Sequence, residues 1–451
     1  MTGVLVKARR PQCMLAGEMA FQNPVVVVPG ITASSMRDEY DVNPRTVWAA
    51  LLRRYEEIAL HPDDLRYERA EPARVVADHM FGIPYNELVK ELRYNLTQRE
   101  DKPTPVYPFA YDWRMPLDEA EQRLAGFVDE VIGRTKIMPH YERAGFARAP
   151  RVDLVGHSMG GVIVAGYLER AGRRAPVGKV VTLGAPFRGS PEAPVKIATG
   201  QSALGPQPDS SREREVARLT PALYHLLPSF AGAVEPEEGL RGTLYDLALW
   251  QPSILQTIAE SIRLWGLRKT DRRTQAEALL SRMLSTARAH RKRLESFRLG
   301  QARLRQDDWL AIVGVGEPTR VRLPIRLAGG QPEFVIRDAD RVDQWRDAKP
   351  AQRVFTGDGT VPYLGARSAF VPVEKQVCVS ADDFGYFEIA DRILEAGAGF
   401  HGLLPKMNLV HRLIVSHFTG KLVRGTWGRK PPDLPRGKAW KPPIEGLPAE
   451  A

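Results

Sequence analysis

The sequence predicts an α/β protein, in which a mostly parallel sheet is covered by helices on both faces and carries a helical insertion. Short apolar runs that read as buried strands alternate with helical patterns through the first 190 residues. These runs lie at residues 24–30, 104–110, 152–157 and 179–183. The third run breaks into Gly-x-Ser-x-Gly and continues as an apolar helix pattern, which is how a strand turns sharply into a helix. At 451 residues the chain is long enough for one large domain with insertions or for two domains.

The first strand predicts a ligand-facing loop at its carboxyl end. Four valines are stopped by Pro29-Gly30 and followed by a small polar run, residues 32–35. In a sheet that supports acyl transfer, the amide after such a glycine points at a developing oxyanion, and here that amide belongs to Ile31. A plain strand-ending turn is the alternative interpretation of the same residues.

Helical pieces and a second strand follow before the Gly-x-Ser-x-Gly turn. Residues 46–95 carry amphipathic patterns, residues 104–110 a strand, and residues 116–136 a long helix that returns the chain to the sheet. The aromatic and charged corner at residues 111–114, Tyr-Asp-Trp-Arg, favours packing around a buried ion pair over chemistry.

The alternation of strand and helix patterns ends after Ser190. From there to about residue 308 the sequence shows helical patterns with many arginines. An insertion at this place lies above the carboxyl ends of the strands and controls access to them. We therefore expect a lead-in at residues 1–22, a core at 23–190, a helical lid or cap at 191–308, the rest of the core at 309–420, and a basic, Pro-rich tail at 421–451 that is disordered or extended.

Composition excludes several classes of function. The net charge is +10, but the basic residues are spread out and carry no nucleic-acid-binding signature, so a solvated basic surface is expected and nucleic acid is not. Weak attraction to an anionic lipid surface or to an acidic partner is the alternative. No apolar run is long enough to span a membrane and residues 1–18 lack a signal-peptide core, which predicts a soluble, cytoplasmic protein. Cys13 and Cys378 form neither a disulfide framework nor a metal-ligand pattern.

Ser158 is the candidate nucleophile. Gly156 and Gly160 lack a Cβ at the points where a side chain would clash within the turn. The Ser158 hydroxyl can therefore project beyond the end of the sheet, at the positive end of the following helix. A serine hydroxyl needs an imidazole to take its proton, and that imidazole needs a carboxylate to fix its tautomer. His157 adjoins the serine and is expected to pack, since a base must approach from across the site.

His401 and Asp358 are the predicted base and acid. His401 lies in a loop before the last helix pattern, with His411 as the fallback, and Asp358 lies in a Gly-flanked loop, with Asp382 and Asp383 as rivals. The chain order serine, aspartate, histidine is that of one serine-hydrolase architecture and not of the others.

In these motifs the chain resembles the lecithin:cholesterol acyltransferase family of α/β-hydrolases, which includes acyltransferases and phospholipases. The similar pieces are Val28-Pro29-Gly30, residues 111–114, Gly156-His157-Ser158-Met159-Gly160-Gly161, Leu183-Gly184-Ala185-Pro186 with Gly189-Ser190, residues 221–228, Gly316-Glu317-Pro318-Thr319 and Gly357-Asp358-Gly359-Thr360-Val361. Each is weak alone, but in this order across residues 24–418 they are specific.

The resemblance implies a triad of Ser158, Asp358 and His401, an oxyanion hole from the amides of Ile31 and Met159, and acyl-ester substrates, often lipids. It implies no metal and no organic cofactor. Gly30, Thr32 and Trp250 are predicted to contact substrate. A helical stripe from Trp250 to Trp265 suggests a lid that meets a lipid surface.

The chain departs from secreted family members, because it has neither a signal peptide nor paired cysteines around its lid. Ester hydrolysis is therefore predicted with better support than membrane engagement or acyl transfer. A soluble carboxylesterase or thioesterase is the alternative, and a non-catalytic binding protein on the same fold is the third hypothesis. The oligomeric state is not predicted.

Overall fold

A computed structural model describes residues 21–40, 42–49, 55–62, 74–201, 212–266, 270–346, 348–385, 388 and 399–450. The predicted lead-in, residues 1–22, lies outside this part of the chain except for Phe21 and Gln22. No helix within the described ranges combines the length and the apolarity that crossing a bilayer requires.

Strands and helices alternate as the sequence predicts. The strands are β1 Val25–Val28, β2 Ser34–Asp38, β3 Arg45–Trp48, β4 Val75–Met80, β5 Val106–Pro108, β6 Val152–His157, β7 Val177–Leu183, β8 Val234–Pro236, β9 Trp309–Val315, β10 Thr319–Arg320, β11 Leu323–Ala328, β12 Gln331–Phe334, β13 Arg341–Val342 and β14 Gln376–Ser380. The helices are α1 Gly82–Leu96, α2 Leu117–Lys136, α3 Pro139–Arg143, α4 Met159–Ala171, α5 Glu192–Thr199, α6 Arg212–Arg218, α7 Pro221–His225, α8 Pro252–Trp265, α9 Arg272–Ser296, α10 Tyr363–Ala366, α11 Gly399–Leu403 and α12 Asn408–Thr419.

Six of the described strands form the central sheet in the order β14-β9-β7-β6-β1-β5, and every neighbouring pair is parallel. The four valines of β1 are fully buried and alternate between two hydrophobic clusters, one on each face. Val26 and Val28 pack with α2 and α4, whereas Val25 and Val27 pack with α1 and α12. The predicted α/β fold, with helices on both faces of a parallel sheet, is confirmed.

The corner at residues 111–114 packs around a buried ion pair, as the sequence predicts. The Arg114 side chain is 1% exposed, and its Nε and Nη2 donate to the two carboxylate oxygens of Asp112 at 2.9 and 2.7 Å. Its Nη1 also donates to the carbonyl of Ile58. Its Nη2 donates to the carbonyl of Val75 at 3.2 Å as well, so the guanidinium that Asp112 holds ties the segment after β5 to the residues around β3 and β4.

Residues 191–308 are largely helical within the described ranges, and their apolar side chains join the hydrophobic cluster on the α2 and α4 face of the sheet. His290 of α9 donates from Nε2 to the buried carboxylate of Glu121 in α2 at 2.7 Å. Trp250, Ile254, Ile258 and Ile262 are buried, whereas Trp265 is 69% exposed. The stripe predicted for lipid contact therefore packs inside the protein, except at its carboxyl end.

Residues 421–450 are folded against the sheet, which differs from the disordered or extended tail that the sequence suggested. Arg429 exchanges backbone hydrogen bonds of 2.9 Å with Cys378 of the edge strand β14, and Trp440 Nε1 donates to the carbonyl of Gln376 at 2.8 Å. Ile444 and Leu447 are buried. The prolines suppress regular periodicity, but a few apolar side chains suffice to pin the segment.

Candidate active site

Ser158 lies at the sharp turn between β6 and α4. Its backbone has φ 53° and ψ −128°, a conformation that costs energy in a residue with a side chain. The Ser158 amide donates to the carbonyl of Leu183 in β7 at 2.8 Å, which anchors the turn to the neighbouring strand. Parallel packing on that strand thus holds the hydroxyl in its strained position.

Gly160 is required at this turn because its backbone passes close to β1. A Cβ added there would lie 2.2 Å from the carbonyl oxygen of Val28 and 2.5 Å from that of Pro29. Both are backbone atoms of a buried strand end and cannot rotate away.

We expect Gly160→Ala to destabilise the protein by about 3 kcal/mol, because the clash forces α4 away from β1. Gly126→Ala is the matched control: a Cβ at Gly126, in α2, meets nothing within 4 Å. That second substitution should stabilise the protein by roughly 0.5–1 kcal/mol, because alanine is the better helix former. Denaturant unfolding of both variants checks the pair, and equal effects would contradict the clash.

His401 lies between Ser158 and Asp358. Its Nε2 is 2.8 Å from the Ser158 Oγ and its Nδ1 is 2.7 Å from the Asp358 Oδ2. The other carboxylate oxygen of Asp358 accepts the amides of Val361 and Thr360 at 2.7 and 3.1 Å. Since Asp358 is 1% exposed, these amides hold the carboxylate in place without water.

Glycines make room for this arrangement. A Cβ at Gly314 of β9 would lie 2.5 Å from the Asp358 Cβ, and one at Gly184 would lie 2.8 Å from the Asp358 Oδ2. Gly184 also has φ +53° at the end of β7. The carboxyl ends of β7 and β9 are therefore shaped around the carboxylate.

The rival residues lie elsewhere. His411, inside α12, donates from Nε2 to the carbonyl of Pro405. Asp383 accepts Arg429 and the amide of Ser380, and Asp382 pairs with Arg346 at the surface. The structure brings Ser158, His401 and Asp358 together. The rival residues His411, Asp382 and Asp383 make structural contacts elsewhere.

The two predicted oxyanion donors are the backbone amides of Met159 and Ile31. Met159 is the first residue of α4, so its N–H has no intrahelical acceptor and carries the positive end of the helix dipole. Ile31 follows Gly30, whose added Cβ would lie 3.0 Å from the Ser158 Cβ, and its N–H makes no hydrogen bond to any described residue. Within the described residues, neither predicted oxyanion donor has a hydrogen-bond acceptor.

Of the three residues predicted to contact substrate, Gly30 and Thr32 belong to the loop beside Ser158, whereas Trp250 lies in the core. Gly30 lies against Ser158. Thr32, whose φ is 61°, forms the turn that follows Gly30. Trp250 is 3% exposed, donates from Nε1 to the carbonyl of Leu244 and packs against Tyr224 and Phe334. None of the contacts among described residues joins Trp250 to the triad.

His157 and Tyr85 are site residues whose contacts the sequence did not reveal. His157 is buried as expected, but both its ring nitrogens are engaged, one by the Tyr85 hydroxyl at 2.6 Å and one by the carbonyl of His401 at 3.0 Å. Burial lowers the pKa of His157 well below its usual range, so the ring is neutral. Tyr85 sits on the apolar face of an amphipathic helix, where nothing distinguishes it from a core residue.

No group of three or more histidine, cysteine, aspartate or glutamate side chains suited to a metal ion occurs in the part of the chain that the structure describes. The lone described cysteine, Cys378, is buried in β14, and burial raises the pKa of its thiol.

Comparison with solved structures identifies the fold. A chain of the Tle4-Tli4 complex is 14% identical, superposes with a TM-score of 0.59, and the match covers 88% of this chain and 97% of that one. Two others superpose less well. The phospholipase PlaB from Legionella pneumophila is 13% identical, with a TM-score of 0.24, and the match covers 45% of this chain and 32% of that one. The Bacillus licheniformis lipase BlEst2 is 11% identical, with a TM-score of 0.28, and the match covers 82% of this chain and 87% of that one.

Comparison by sequence identifies the family resemblance. No curated protein matches the chain. Residues 82–270 match the family model described as lecithin:cholesterol acyltransferase, and this segment contains the predicted motifs at residues 111–114 and around Ser158. The resemblance predicted from the motifs is confirmed: this is an α/β-hydrolase-fold chain that resembles the lecithin:cholesterol acyltransferase family.

Proposed function

We propose that the chain is a serine hydrolase or O-acyltransferase that takes the acyl group of a lipid ester onto Ser158. The observation that carries this proposal is the continuous hydrogen-bonded series from the Ser158 Oγ through His401 to Asp358, at a strained turn. The family resemblance supports acyl-ester chemistry. Nothing in this site calls for a cofactor.

In the proposed reaction the Ser158 Oγ attacks the ester carbonyl carbon while His401 Nε2 takes the hydroxyl proton. The carbonyl oxygen becomes an oxyanion, which the amides of Ile31 and Met159 stabilise by about 3–4 kcal/mol each. The tetrahedral intermediate expels the alcohol, which leaves with the proton from His401. Water or a second alcohol then attacks the acyl-serine and gives its proton to His401 Nε2. The bond between the acyl carbon and Ser158 Oγ breaks, Oγ takes that proton back, and the acid or a new ester leaves.

Ser158 and His401 are buried, at 3% and 8% exposure, and in our proposal a cap admits the substrate to them. We take residues 191–308 as the cap, because they follow β7 and the site lies at the carboxyl end of that strand. Trp265 and Leu264, exposed at the end of α8, are the residues of this cap that we expect to meet a lipid surface.

A fluorophosphonate probe tests the proposal. We expect the wild-type chain to form one covalent adduct, seen by intact mass, and Ser158→Ala to form none, because the probe needs an activated serine. Ser35→Ala is the matched control, since Ser35 is equally buried but its hydroxyl lies against His79. If folded wild-type protein takes no label, the chain is a binding protein on a hydrolase fold.

Substrate form separates the two hydrolase hypotheses. A lipid-directed enzyme should turn over aggregated long-chain esters faster than monomeric short-chain ones, whereas a soluble carboxylesterase or thioesterase should not. Adding a long-chain alcohol and quantifying new ester against free acid then measures acyl transfer against hydrolysis.

A further inference from the structure

The peptide between Pro29 and Gly30 is held at both ends by buried tyrosines. The Tyr111 hydroxyl donates to the carbonyl of Pro29 at 2.9 Å, and the Gly30 amide donates to the Tyr85 hydroxyl oxygen at 2.9 Å. A peptide unit is planar, so fixing its C=O and its N–H fixes the orientation of the whole plane. Both tyrosines are at most 1% exposed, so water does not compete for these bonds.

The next peptide is oriented by a bond within the loop that starts from the Gly30 held in this way. The carbonyl of Gly30 accepts the amide of Ala33 at 3.4 Å and so turns into the loop. In a trans peptide the N–H points opposite to the C=O, so the Ile31 N–H points away from the loop. The direction of this amide, which the proposed mechanism aims at the oxyanion, therefore depends on how Gly30 is held.

The direction of each proton in the neighbouring contacts follows from the acceptors. The His401 carbonyl can only accept, so His157 must carry its proton on Nε2. A neutral imidazole has one proton, so Nδ1 is an acceptor and the Tyr85 hydroxyl donates to it. The hydroxyl oxygen is then free to accept the Gly30 amide, and every group in the series is satisfied.

This series, which we call the Tyr85 relay, consists of the Gly30 amide, the Tyr85 hydroxyl, the His157 ring and the His401 carbonyl. It joins the loop after β1 to α11, the short helix that carries the base. The His157 ring also lies 5.0 Å from the His401 ring, so a charge on His157 would oppose protonation of His401. Donation from Tyr85 to Nδ1 keeps that nitrogen occupied as an acceptor and favours the neutral ring.

We propose that Tyr85 and His157 are positioning residues that set the orientation of the oxyanion-binding Ile31 amide and of the α11 backbone at His401. The inference rests on the proposed function of Ser158. Neither side chain touches the reacting atoms. Their effect should therefore appear in stabilisation of the transition state and not in binding of the ground-state ester.

Tyr85→Phe, which removes only the hydroxyl, tests the relay. We expect kcat to fall roughly 10- to 100-fold, with KM changed less than about threefold, because a displaced amide weakens the oxyanion site. The Ki of a trifluoromethyl ketone, which forms an oxyanion on the serine, should rise by the same factor as kcat falls. Tyr141→Phe is the control, because Tyr141 is equally buried but its hydroxyl donates to the carbonyl of Gln22, away from the site.

If Tyr85→Phe does not fold, a pair of His157 variants tests the relay instead. His157→Gln keeps one acceptor and one donor and should retain more kcat than His157→Leu, which keeps neither. The relay is overturned if Tyr85→Phe retains kcat within about twofold, or if substrate and ketone lose affinity equally. These outcomes presuppose a labelled wild-type serine, so absence of labelling refutes the proposed function, whereas labelling with an inert Tyr85→Phe refutes the relay alone.

Discussion

Replacing Asp358 with Asn is expected to lower kcat by about four orders of magnitude while leaving the fold intact. The reason is a change of tautomer in His401. The amides of Val361 and Thr360 require an acceptor, so the Asn oxygen stays with them and the Asn NH₂ faces His401 Nδ1. That nitrogen must then accept, which places the imidazole proton on Nε2, where it blocks removal of the Ser158 proton.

Asp382→Asn is the matched control. Asp382 lies past β14 and was a candidate for the same role from sequence, but its side chain is 62% exposed and pairs with Arg346. We expect its kcat to stay within about twofold of wild type. The measurement is steady-state hydrolysis of an activated ester by both variants, with melting temperatures to confirm folding. A kcat for Asp358→Asn within tenfold of wild type would remove Asp358 from the proposed triad.

Sequence reasoning reached Ser158, Asp358 and His401 because each carries a local signal. The Gly-x-Ser-x-Gly turn is forced by close packing, as the contacts of Gly160 with β1 demonstrate. Asp358 follows β9 and His401 follows β14, and the carboxyl ends of parallel strands meet at one edge. His401 lies in the short helix α11 and not in the loop that the sequence predicted. The structure brings these residues within hydrogen-bonding distance although 243 positions separate Ser158 from His401.

The Tyr85 relay has no comparable signal. Tyr85 recurs with Leu88 and Leu92 on a helix face, so its spacing is that of a core residue. The register of β1 beside β6, which places Val28 opposite Gly156, and the packing of α1 against β1 together bring the Gly30 amide next to the Tyr85 hydroxyl. Trp250 shows the converse, since its place on an amphipathic stripe suggested a ligand contact and its surroundings are core.

The segment after Gly420 escaped prediction for a different reason. Its prolines and charges resemble a linker, and its apolar residues follow neither helix nor strand spacing. The segment is stabilised instead by irregular contacts made one at a time, such as Tyr363 with Asp433 and Trp427 with Asp383. Periodicity cannot reveal contacts whose partners lie on another part of the chain.

Ending the chain at Gly420 is therefore expected to lower the melting temperature by at least about 10 °C and to promote aggregation. The truncation uncovers the apolar surface beneath Ile444, Leu447 and the two tail tryptophans, at a cost of about 5 kcal/mol. It also leaves the Asp383 carboxylate, 2% exposed, without Arg429. A loss of about 5 kcal/mol is a large part of the total unfolding free energy of an ordinary domain, which is roughly 5–15 kcal/mol.

Aggregation follows from the exposed sheet edge. Removing residues 421–451 frees the amide and carbonyl of Cys378, which Arg429 otherwise pairs, and turns β14 into an open edge strand. In the full-length protein the Cys378 amide should be protected from hydrogen exchange, and in the truncated protein it should exchange quickly. Arg424→Ala is the control, because Arg424 is an exposed cation of the same segment. A truncated chain that stays monomeric and melts within about 2 °C of full length would show that the segment contributes nothing to the fold.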